Sequence, residues 1–90
     1  MPYTTLTDRA KFEPHVHQLR DRMERTEMSK GDFTYIVYAL ALSHIEAQGG
    51  DSYTHISSSI SCLIDAAEEL RRRHLNPYED KKIRENGDVI

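Results

Sequence analysis

The stretch Ser52-Tyr53-Thr54-His55-Ile56-Ser57-Ser58-Ser59-Ile60-Ser61-Cys62-Leu63-Ile64-Asp65-Ala66-Ala67-Glu68-Glu69-Leu70-Arg71-Arg72-Arg73-His74 decides the fold. Within it Tyr53, Ile56, Ile60, Leu63, Ala67, Leu70 and His74 recur at alternating steps of three and four. That spacing puts all of them on one side of an α-helix and makes an unbroken a/d seam. It predicts a long helix from about Tyr53 to His74, capped by Ser52. A second stripe of small residues, Ser57, Ser58, Ser61 and Cys62, runs beside the seam. Serine is a middling former of helix interiors, so such a run either faces water or lets another backbone come close.

Upstream, Ser29-Lys30-Gly31-Asp32 reads as a breaker followed by an N-cap, predicting a helix from Phe33 to about Ala47 that stops at Gly49-Gly50. Its middle, Ile36-Val37-Tyr38-Ala39-Leu40-Ala41-Leu42, is apolar all the way round and needs cover on several sides. Further back, Phe12, Val16, Leu19 and Met23 share one face of a helix from about Glu13 to Arg25. Pro14 suits its first turn, and residues 7–12 form a separate turn with Thr7 as cap. Downstream, Asn76-Pro77 is expected to break the long helix and start a short one, from Tyr78 to about Glu85, closed by Asn86-Gly87. The expected fold is all-α, one domain over residues 1–90 with three main helices plus a short C-terminal helix.

Composition narrows the function. The chain has 90 residues, 38% hydrophobic and 30% charged. A chain this short leaves roughly 35–40% of its unfolded surface exposed after folding, so self-association is a natural remedy. The bundle is therefore expected to be completed by a homodimer or higher oligomer, through the second helix and the seam. Twelve basic against 15 acidic residues give a net charge of −3. Neither half is basic, which argues against a DNA-coating surface. The lone Cys62 rules out an internal disulfide and a cysteine-based zinc site, and fits a reducing cytoplasm. It reads as a small buried or interface residue. The start, from Met1 to Asp8, lacks the apolar segment of a signal peptide, and no apolar run is long enough to span a membrane. A soluble intracellular protein is expected.

The tail Asn76-Pro77-Tyr78-Glu79-Asp80-Lys81-Lys82-Ile83-Arg84-Glu85-Asn86-Gly87-Asp88-Val89-Ile90, with Gly31-Asp32-Phe33-Thr34-Tyr35-Ile36 and the opening of the long helix, resembles a family of small proteins from bacteria and their phages. That family is known as a domain of unknown function. The resemblance implies a small helical fold in a phage-linked setting and carries no catalytic residue with it.

Three groups of residues carry candidate chemistry. Arg71, Arg72, Arg73 and His74 close the long helix, where the helix dipole alone favours cations. With Lys81, Lys82 and Arg84 they put six of the twelve cations within 14 residues, with Tyr78 available for stacking. Such an edge suits a small phosphorylated ligand such as a nucleotide, or a host protein, held without catalysis. A docking strap is the plainer account of the tail, with Tyr78 and Ile83 as anchors. A second group, Asp65, Glu68, Glu69 and Asp80, invites comparison with Mg²⁺-dependent all-helical nucleotide pyrophosphohydrolases. Against that, Glu68 and Glu69 stand four before Arg72 and Arg73, ordinary ion-pair spacing, and no second acidic motif of that kind stands on another helix. Third, the histidines His15, His17, His44, His55 and His74 lack metal-ligand spacing, and His44 reads as a hydrogen-bonded core or interface side chain. A purely structural or inhibitory oligomer is the remaining class.

Overall fold

The computed structural model describes residues 4–89. Met1, Pro2, Tyr3 and Ile90 lie outside the described residues, and with them part of the segment read for a leader and the last residue of the tail motif. The described chain is helical, with no strand: α1 (Leu6–Ala10), α2 (Glu13–Arg25), α3 (Lys30–Ala47), α4 (Tyr53–Leu70), a π-helical turn (Arg71–Leu75) and α5 (Asn76–Asn86). It divides into two units, Met1–Ile36 and Val37–Ile90, with the boundary inside α3.

In the first unit, α1 is capped by Thr5 rather than Thr7, because the Asp8 N–H donates to Thr5 Oγ1 at 3.1 Å. Helix α2 keeps its predicted limits, with Pro14 in the first turn. Leu19 and Met23 of its apolar stripe are half-buried, while Phe12 and Val16 remain exposed. Helix α3 begins at Lys30, three residues before the predicted Phe33. The reason is a reciprocal cap: the Asp32 N–H donates to Ser29 Oγ, and the Ser29 N–H to Asp32 Oδ2, both at 3.0 Å. Ser29 is the cap, and Asp32 supplies the returning carboxylate of a capping box.

The second unit turns at Gly49 and Gly50, whose φ values of 122° and 96° fall where side chains are disfavoured. Ser52 caps α4 as predicted, accepting from the His55 N–H at 3.0 Å. Helix α4 meets α3 beside this turn through polar groups. Ser59, 3% exposed, is buried there, and no hydrophobic side chain is buried anywhere among the described residues. The small stripe is thus partly used: Ser57 and Ser58 are half-buried, Ser61 and Cys62 exposed. The a/d seam, expected to meet another copy, is exposed in the single chain. Tyr53 is 88% exposed, Ile60 51% and Leu70 62%. The apolar middle of α3 is likewise uncovered at Tyr38, Leu40 and Leu42.

Asn76-Pro77 does not break the helix. The backbone stays right-handed helical through Leu75 and Asn76, and the Asn76 N–H reaches back five residues to the Arg71 carbonyl. In a regular α-helix the Pro77 ring would press on the carbonyl four residues before it; the wider π turn relieves that pressure and lets α5 continue. Helix α5 closes at Gly87, whose N–H donates to the Ile83 carbonyl at 2.8 Å.

Candidate functional site

The π turn shapes the site. A groove of about 490 Å³ runs along it, from the end of α4 to the start of α5, lined by Ala67, Leu70, Arg71, His74, Leu75 and Tyr78. Ala67, Leu70 and Leu75 supply an apolar floor. Arg71 adds a guanidinium, His74 an imidazole and Tyr78 a phenol ring. Of the sequence-predicted residues, Arg71, His74 and Tyr78 come together here.

The others do not line the groove. Arg72 and Arg73 both bind the carboxylate of half-buried Glu69, one turn earlier on the same rod of helix. Desolvation pushes the Glu69 carboxyl upward, but the hydrogen bonds and charges of Arg73 and Arg72 outweigh it and hold the group below the usual carboxylate range. Lys82 pairs with Glu85 at 3.2 Å and Lys81 approaches the same residue at 3.9 Å. The Lys82 ammonium also lies 5.6 Å from the Tyr78 ring centroid, within cation–π range. Arg84 takes part in no ion pair among the described residues and stands outside the groove.

Among the described residues no three His, Cys, Asp or Glu side chains come together in a group that could hold a metal ion, so Asp65, Glu68, Glu69 and Asp80 are not brought into one cluster. Glu69 is committed to two arginines instead. Cys62 is exposed rather than buried.

Sequence reasoning missed a polar cluster at the α3–α4 turn. The Ser59 hydroxyl lies 2.6 Å from His44 Nδ1, and Gln48 Nε2 donates to Ser59 Oγ at 3.1 Å and to the His55 carbonyl at 3.1 Å. His55 Nδ1 lies 2.7 Å from the Gly50 carbonyl, which only accepts, so that nitrogen carries the proton. His44 is hydrogen-bonded as expected, but exposed. With Ser59 buried and its hydroxyl bonded to His44 and Gln48, the cluster fastens the turn. A second groove of about 420 Å³, in the first unit, includes Arg9, Phe12, Glu13, Val16 and Arg20.

No helix among the described residues is long and apolar enough to cross a membrane. The described residues form an all-helical chain with a small cleft that mixes apolar and cationic side chains. The chain belongs to the family described as a domain of unknown function, DUF6899, whose model matches residues 1–89. No curated protein and no solved structure matches it.

Proposed function

We propose that the protein is a non-catalytic binding module, acting as a homo-oligomer in the cytoplasm, that holds a small phosphorylated ligand with a flat apolar body, such as a nucleotide. The observation that carries this reading is the convergence of Arg71, His74 and Tyr78 on one apolar-floored groove, while Arg72, Arg73, Lys81 and Lys82 are engaged by carboxylates. Cavities of this size with few polar groups suit small molecules. One free guanidinium suits one phosphate, and Glu69 and Glu85 dilute the field that a polyanion would need. The uncovered faces of α3 and α4 support the oligomer. The phage-linked setting implied by the tail motif belongs to the same proposal.

The test is calorimetric titration with adenosine and guanosine mono-, di- and triphosphates, with and without Mg²⁺. Binding of at least one nucleotide, and its intact recovery after the complex is denatured, is expected. Arg71→Ala is expected to weaken binding about ten-fold or more, the scale of one charge-assisted contact. Arg9→Ala, in the other groove, leaves it unchanged. Phosphate release that disappears in Asp65→Ala would replace this reading with the Mg²⁺-dependent hydrolase, and absence of binding across the panel would end it.

A further inference from the structure

The outward-facing seam of α4 has the composition of an interface. Tyr53, Ile56, Ile60, Leu63, Ile64 and Leu70 are 39–88% exposed. At roughly 200 Å² of full surface each they present on the order of 700 Å², close to the roughly 800 Å² per partner of a standard interface. Ile56, Leu63 and Leu70 occupy the d positions and Tyr53, Ile60 and Ala67 the a positions, the pattern of a helix that packs on its like.

We infer that α4 pairs with α4 of a second copy, antiparallel, and that this pairing completes the groove. Charge sets the direction. A parallel pair would bring Arg71, Arg72 and Arg73 of both copies to one end, and Asp51 of both copies to the other. Antiparallel pairing lays the end bearing Asp51 and Ser52 beside those arginines instead. It also stacks the layers by size: Ile60 faces the second copy's Leu63, Ile56 faces its Ala67, and Tyr53 faces its Leu70.

Ala67 and Leu70 are both seam positions and lining of the groove. The second copy's Ile56 and Tyr53 therefore pack on Ala67 and Leu70 at the α4 end of the groove, and a ligand held by Arg71, His74 and Tyr78 would lie beside the second copy's Tyr53. Only this last consequence rests on the groove's being the binding site; the pairing stands without it.

Mixed-variant disulfide trapping tests it in the full chain with Cys62→Ser. Ile56→Cys mixed with Ala67→Cys is expected to give at least ten-fold more linked dimer than either variant alone. Linkage of Ile56→Cys to itself would mean a parallel pair and overturn the direction. A two-chain particle without any of these links would place the interface elsewhere. Light scattering after size exclusion that finds a single chain at tens of micromolar would overturn the second copy altogether, leaving the seam to a segment of the same chain. Loss of nucleotide binding with the cross-link pattern intact would sink the ligand reading and leave the pairing in place.

Discussion

Glu69 binds Arg72 and Arg73 at the end of α4, and the sign of its pH effect follows from that contact. Its folded-state carboxyl is held below its ordinary value of 4.5. The ion pairs therefore add stability that is fully present above that value and is lost as pH falls through the lowered folded-state value. Acid titration followed by circular dichroism is expected to show this loss in the wild type and not in Glu69→Gln, the two converging at low pH. Spacing alone gave half of this: arginines three and four residues after an acid are visible in any sequence. That Glu69 would take both arginines is read from the structure, while Arg71, only two residues on, faces away from it as in any helix.

At the scale of elements, starts and stops were legible wherever a local hydrogen bond sets them. Ser52 and Gly49-Gly50 stand where they were read, while Ser29 displaced Asp32 because a reciprocal pair satisfies more backbone groups than a single cap. The two turn glycines offer a paired test. Both have positive φ, so alanine is strained at either, by about 1–2 kcal/mol. A side chain on Gly49 would also meet the His55 ring at 3.2 Å, whereas one on Gly50 meets nothing within 4 Å. Denaturant unfolding is expected to rank Gly49→Ala below Gly50→Ala, and Gly50→Ala below wild type. Asn76-Pro77 misled because proline's clash is usually relieved by ending a helix; here a single wide turn relieves it.

For the whole molecule, the apolar faces of α3 and α4 make concentration a stability variable. If the folded form is a dimer and the unfolded form is not, each ten-fold rise in chain concentration adds about 1.4 kcal/mol per mole of dimer. The thermal unfolding midpoint is therefore expected to climb steadily over about a hundred-fold dilution series. A flat midpoint would show that each chain folds alone. The amino-acid sequence by itself determined the helices, their caps and the apolar stripe along each, because those depend on neighbours within four residues. It also marked the Arg71–Arg84 edge as the place to look. Only the tertiary structure decided which stripe of α4 meets α3. That choice joins His44 to Ser59 across the turn, and a buried hydroxyl needs a partner more strictly than an isoleucine needs cover. The seam was thereby left facing outward, and the groove was left open beside it.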